Sequence, residues 1–114
     1  MAAEDKIRSG WLYGMYAPPI DPNTGKELDA TKPVGEWNHL RLVISPEKCE
    51  HYMNGVKYFE YVLNSEDWNA RVAKSKWRNV RTYGKSDIGS IGIQGDHPGS
   101  TFFRNIKIRP IPAK

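Results

Sequence analysis

"KCEHYMNGVKYFEYVL", residues 48–63, carries the clearest local signal in this chain. Two runs of β-forming residues flank Asn54-Gly55, a pair that suits a two-residue type I′ turn because both positions tolerate positive φ. That register sets Met53 opposite Val56 and His51 opposite Tyr58. Just upstream, "EWNHLRLVIS" (36–45) reads as a strand. Period-2 alternation puts Leu40, Leu42 and Ile44 on one face and His39, Arg41 and Val43 on the other, and Pro46 ends it.

Further outward the periodicity changes. "SEDWNARVAKSKW" (65–77) has helical spacing, with Ser65 as N-cap and Glu66 and Asp67 in the first turn, where negative charge suits the helix dipole. Trp68 and Val72, four apart, turn toward the sheet. "GWLYGMY" (10–16) alternates as a strand would, with Trp11, Tyr13 and Met15 on one side. A connection over 17–35 follows, holding Pro18, Pro19, Pro22 and Pro33 and a turn at Asn23-Thr24-Gly25. Connections of that length without structure of their own are often functional. At the far end, "IGSIGIQ" (88–94) and "TFFRNIKIR" (101–109) read as two more strands. The expectation is one all-β domain over residues 1–114, with one inserted helix near 65–76 and no repeats.

The chain has 114 residues, 39% hydrophobic and 26% charged, the composition of a soluble globular domain. No apolar run approaches the roughly 18 residues of a membrane span, and MAAEDKIRSG has no signal-peptide character, so a cytoplasmic location is expected as written. Cys49 is the single cysteine, which excludes an internal disulfide and a thiolate zinc cage. Its simplest reading is a small packing residue. Net charge is +4, and most of the excess lies where Arg71, Lys74, Lys76, Arg78, Arg81 and Lys85 surround Trp77 and Tyr83 without an acid between them. A nucleic-acid binder can look like this. A solvated helix face running into a loop is the reading preferred here, since no nucleic-acid motif accompanies the charge.

Phosphate loops, zinc helices and nucleophile elbows are absent. So are carboxylates close together on one strand, which a retaining glycosidase needs about 5 Å apart. Polar residues in apolar surroundings are more informative. Arg104 shares strand parity with Phe102, Ile106 and Ile108, which predicts a buried guanidinium in need of an acceptor. That acceptor is either a structural carboxylate or a polar ligand. Gln94 points to the opposite face from Ile91 and Ile93, where Gly89, Gly92 and Gly95 leave the backbone bare, as at a sugar site. Asp96 and His97 follow in a glycine loop, where an acid can orient an imidazole for proton transfer. The competing reading is a turn stabilised by the Asp side chain. His51 reads first as a hydrogen-bonded core histidine, and Asn105 faces away from Arg104.

Taken in order, "GWLYGMYAP", "KPVGEWNHLRLVI", "HYMNGVKYFEY", "DWNARVAKSKW" and "GSIGIQGDHPGSTFFRNIKIRPI" resemble the 3-keto-disaccharide hydrolase family, from about residue 10 onward. The resemblance implies a concanavalin A-like (jelly-roll) antiparallel β-sandwich. It also implies a reaction in which a ketone at C3 of a glucoside acidifies the C2 hydrogen. A base removes that proton, the C1 substituent leaves by elimination, and water adds afterwards. On this reading His97 is the base or acid, and Arg104 and Gln94 hold the sugar or developing enolate. Asp96, His51, Asn105 and Trp37, the last within Gly35-Glu36-Trp37-Asn38, complete the sugar-contacting set. No cofactor or metal set is assigned, and a divalent metal is left open. Members of the family, often exported, open with several more strands. The expectation is therefore a partial sandwich, inactive or active alone, that closes its apolar face as a homodimer. Alternatives are a sugar-binding module without turnover and a β-sandwich interaction protein; nucleic acid is disfavoured as a partner.

Overall fold

The computed structural model describes residues 8–86, 88–94 and 98–112. Strands β1 (Leu40–Ile44), β2 (Cys49–Met53) and β3 (Val56–Tyr61) form one antiparallel sheet in the order β1-β2-β3, and helix α1 covers Glu66–Lys74. The hairpin is as the sequence predicts: φ is 51° at Asn54 and 82° at Gly55, and Met53 pairs with Val56. A register shift between His51 and Tyr52 leaves Tyr58 as an extra residue on β3. His51 therefore opposes Phe59, not Tyr58. The bulge lets Tyr58 turn inward out of sequence with the ladder.

Paired residues share a face, so β2 directs Cys49, His51 and Met53 inward with Phe59 and Tyr61 beside them. The other face is charged, and Lys48 and Lys57 contact Glu50 and Glu60 at 3.1–3.8 Å. Helix α1 forms where predicted. The Ser65 hydroxyl accepts from the Trp68 N–H at 3.2 Å, a cap worth about 1 kcal/mol. Trp68 is the buried residue of the helix and seats it on the core.

That core consists of Met15, Tyr16, Cys49, Tyr61 and Trp68, with Leu12, Phe59, Val72, Trp77 and Tyr83 packed around it. Its rings form a continuous stack. Tyr16–Tyr61, Tyr61–Trp68, Trp68–Tyr83 and Tyr83–Trp77 lie 5.0–5.8 Å apart between centroids with interplanar angles of 7–28°. Offset pairs of this kind each add about 0.5–1.5 kcal/mol beyond the area they bury. Gly84 is what lets Tyr83 approach, since a Cβ there would stand 2.7 Å from Trp68 Cζ2.

Three expected strands are not strands. Residues 10–16 form a tight turn, with Gly10 and Gly14 at φ 84° and 71° and the Met15 and Tyr16 N–H groups both donating to the Leu12 carbonyl. Met15 and Tyr16 are both buried while Tyr13 is 44% exposed, a pattern that a two-residue alternation cannot produce. Residues 88–94 and 101–109 run without ladder pairing among the described residues, and Ile88, Ile91, Phe102, Ile106 and Ile108 face outward. An alternating run specifies which face is apolar, but a strand also needs a neighbour to receive its hydrogen bonds. The all-β expectation thus becomes a three-stranded sheet with one helix. Arg104 is corrected as well: it is exposed, not buried on an apolar face.

Candidate functional site

The turn at 10–16, the 17–35 connection and the bulged residue of β3 enclose a cleft of about 250 Å³. Arg8, Ser9, Trp11, Leu28, Asp29, Thr31 and Tyr58 line it. Each wall is fixed by a specific bond. Tyr58 brings its hydroxyl to the Ala30 N–H, which donates to it at 3.0 Å. The Asp29 Oδ1 accepts from both the Thr31 N–H (2.9 Å) and the Thr31 hydroxyl (2.5 Å). Those bonds to Thr31, joined by the nearby Arg8 charge, hold the Asp29 carboxyl below its ordinary pKa. Arg8 also sits over the Trp11 indole, 5.5 Å from the ring centroid. An ionised acceptor, a cationic donor and an indole ring around one cleft are the group types that bind sugar hydroxyls and stack on a pyranose.

Asn54 ties this region together. Besides shaping the hairpin, its amide donates to the Ala30 carbonyl and to Asn38 Oδ1, both at 2.8 Å. Its own oxygen accepts from the His39 N–H at 2.8 Å, and Asn38 Oδ1 also accepts from the Lys32 N–H at 2.8 Å. One turn residue thereby anchors the connection, the Gly35–Asn38 run and the start of β1. The turn motif revealed the conformation of Asn54, while its reach to residues 30 and 38 depends on tertiary packing.

Arg104 and Trp37 are brought together. The guanidinium lies over the indole, 4.0 Å from the ring centroid, and the ring itself is 46% exposed. A flat guanidinium held on a ring keeps its N–H edges available for bidentate contact with an oxyanion. Gln94 and Asn105 are exposed, and Asn105 has φ 55°. Asp96 and His97 lie outside the described residues.

His51 takes the place of a core residue. It is 6% exposed, with Nδ1 2.9 Å from the Gly10 carbonyl and Nε2 2.9 Å from the Tyr61 hydroxyl. A carbonyl can only accept, so Nδ1 carries the proton and, in the neutral ring, Nε2 accepts from Tyr61. Burial pushes the imidazole pKa down, against a smaller opposite effect from the Gly10 bond. Both nitrogens are committed within the protein, and the ring holds Gly10, and so the turn that presents Trp11. Among the described residues no group of three or more His, Cys, Asp and Glu is placed to hold a metal ion. Nor does any described helix have the length and apolarity to cross a membrane.

The sequence also has recognisable relatives. It is 28% identical over 119 aligned residues to a 3-keto-disaccharide hydrolase of Bacteroides thetaiotaomicron, a match covering 96% of this chain and 38% of that protein. The chain thus spans well under half the length of this curated relative. Among solved structures, a Parabacteroides distasonis protein described provisionally as a glycosyl hydrolase aligns with TM-score 0.42 and 29% identity, over 60% of this chain and 39% of that one. The family profile described as a 3-keto-alpha-glucoside-1,2-lyase-like domain matches residues 2–109. With that match running through nearly the whole sequence, the chain belongs to the 3-keto-alpha-glucoside-1,2-lyase-like domain family.

Proposed function

We propose that this chain is a carbohydrate-active domain that handles 3-keto-glycosides, within a concanavalin A-like sandwich of which its sheet forms part. The family match over residues 2–109 carries this reading, and the Arg104–Trp37 stack supports it. In the proposed reaction a base removes the C2 proton next to the C3 ketone, and the electron pair becomes an enolate. Collapse of the enolate restores the ketone, forms the C1–C2 double bond and expels the C1 oxygen, which takes up a proton as it leaves. Water then adds across C1–C2, with hydroxyl to C1 and hydrogen to C2. His97 is the proposed base, with Asp96 beside it and Gln94 and Asn105 as further contacts. Arg104, held over Trp37, is the group that meets the enolate oxygen, where a cationic donor stabilises developing charge most effectively. No nucleophilic carboxylate is required.

The test is incubation of the full chain with a 3-keto-disaccharide in deuterated water. Deuterium at C2 of recovered substrate reports proton abstraction, and release of free sugar reports elimination. Both are expected, and both should fall in Arg104→Gln and His97→Asn. Binding with neither exchange nor release would replace the reading with that of a sugar-binding module, for which the cleft at Trp11, Asp29 and Tyr58 is the natural seat.

A further inference from the structure

The segment from Trp68 to Ser86 holds six Lys and Arg residues and no Asp or Glu. The fold draws three of them, Arg78, Arg81 and Lys85, around a second pocket of about 240 Å³ between α1 and the loop that follows it. Trp68, Asn69, Val72, Val80 and Tyr83 supply much of the remaining lining; among the described residues no carboxylate is part of it, and none is shared with the cleft at Trp11. Among the described residues, Arg78 and Lys85 bond to neutral groups that leave their charge in place. Arg78 donates to the Ser75 carbonyl at 3.3 Å and Lys85 to Asn64 Oδ1, both neutral acceptors. The nearby helix acid Asp67 is engaged elsewhere, with the Tyr16 hydroxyl at 2.5 Å and Arg71 at 3.0 Å. Three like charges around one concavity repel one another and raise the local concentration of anions.

A second observation concerns the wall of the same pocket. Among the described residues, the indole N–H of Trp68 is the one buried side-chain polar atom without a hydrogen-bond partner, in a residue only 3% exposed. A buried donor left unpaired costs about 1–3 kcal/mol. The turn at Tyr83–Lys85 roofs it: a Cβ on Gly84 would stand 3.5 Å from Nε1.

We propose that this pocket binds a compact oxyanion, a phosphate or sulfate group, with Arg78, Arg81 and Lys85 as its cationic wall and the Trp68 indole as a neutral donor uncovered when the 83–85 turn lifts. Guanidinium forks match the geometry of such oxygens, and charge-assisted bonds are the strongest a surface pocket offers. The volume exceeds what a bare anion fills, leaving room for the group that carries it. The basic run thus serves a small anion, independently of keto-sugar chemistry.

The full chain would be titrated calorimetrically with inorganic phosphate, sulfate, glucose 6-phosphate and glucose at constant ionic strength. The four indole ¹H–¹⁵N resonances would be followed in parallel. The anions are expected to bind and glucose not. Arg81→Gln and Lys85→Gln, both at exposed positions, should each weaken binding by about tenfold while keeping a cooperative melt, as loss of one charge-assisted bond predicts. The Trp68 resonance should move and the Trp37 resonance stay. If glucose 6-phosphate binds more tightly than phosphate, the anion arrives on a sugar; equal affinities assign the site to the free anion, and either supports the proposal. Unchanged affinity in both variants overturns it, as does a stationary Trp68 resonance at saturation. Tighter binding of an oligonucleotide with a steep salt slope would also overturn it, in favour of nucleic acid.

Discussion

The guanidinium of Arg104 lies 4.0 Å from the centroid of the Trp37 ring, joining residues 67 positions apart in sequence. Lys at 104 would keep the charge but lose the planar guanidinium and its two-pronged donor edge. Arg104→Lys is therefore expected to behave more like Arg104→Gln than like the parent. Removal of one donor to a developing oxyanion lowers turnover about 100-fold or more. C2 exchange and sugar release should fall together, since in the proposed reaction both pass through the enolate. Loss of release with exchange intact would place Arg104 at the leaving group instead.

His51 predicts a pH dependence of stability. Burial depresses its pKa in the folded state, so the unfolded chain binds a proton that the folded chain resists. Stability from this group is fully present above the unfolded value of about 6.5 and declines as pH falls from there toward the depressed folded value. The Asp29, Glu50, Glu60 and Asp67 carboxyls, all held low, lose their contributions separately at more acidic pH. His51→Gln should flatten the melting-temperature slope between neutral pH and about pH 5, the window just below the ordinary imidazole value. It should also cost about 1–3 kcal/mol at neutral pH, because the Gly10 carbonyl and the Tyr61 hydroxyl lose well-placed partners. Thermal melts of both proteins across that range are the measurement. An unchanged slope would assign the titration to another group.

How far each part could be read depended on the range of the interactions that form it. The hairpin, β1 and α1 rest on local signals: Asn54-Gly55, a period-2 run and the Ser65 cap. The hairpin and α1 form where the sequence places them, with His51 opposite Phe59 rather than Tyr58, and β1 takes Leu40–Ile44 of the expected 36–45. The 10–16 segment misled because Gly10 and Gly14 adopt positive φ and fold the alternation back on itself. Residues 88–109 misled because apolar alternation does not specify a ladder partner. Of the site, the core role of His51 was legible, and the 17–35 connection supplies Leu28, Asp29 and Thr31 to the cleft. Strand parity predicts a buried Arg104, whereas packing sets it over Trp37. The Asn54 bonds to residues 30, 38 and 39 had no sequence signal, because they depend on the sheet existing first.

Two glycines separate backbone strain from steric exclusion. A Cβ at Gly55 would meet nothing within 4 Å, whereas one at Gly84 would stand 2.7 Å from Trp68 Cζ2. Gly55→Val is expected to cost on the order of 1 kcal/mol or more through its positive φ alone. Gly84→Ala adds displacement of the Trp68–Tyr83 stack and should cost more, with a change in tryptophan fluorescence that Gly55→Val lacks. Asn54→Gly keeps the turn but removes the side chain, so it should leave the hairpin intact while loosening residues 30–39 in hydrogen exchange. Equal melting temperatures for Gly55→Val and the parent would contradict the strained turn.

The last expectation concerns self-association. Leu40, Leu42 and Ile44 lie on the same sheet face as Met53, His51 and Cys49, yet they are 49–54% exposed, because the core elements cover β2 and β3 and stop short of β1. The strand is also the edge of its sheet, where unpaired backbone groups invite another strand. Apolar burial contributes about 25 cal/mol per Å², so covering this strip and the outward isoleucines of residues 88–108 favours association. A symmetric dimer is the simplest arrangement, because one patch then covers its own copy. Light scattering at low micromolar protein should return about twice the 13.0 kDa chain mass. Leu42→Glu should return the single-chain mass with its hairpin retained, since that side chain contributes little to the chain's own core. A monomer mass for the parent, with a cooperative melt, would show that the open strip of β1 is tolerated in water.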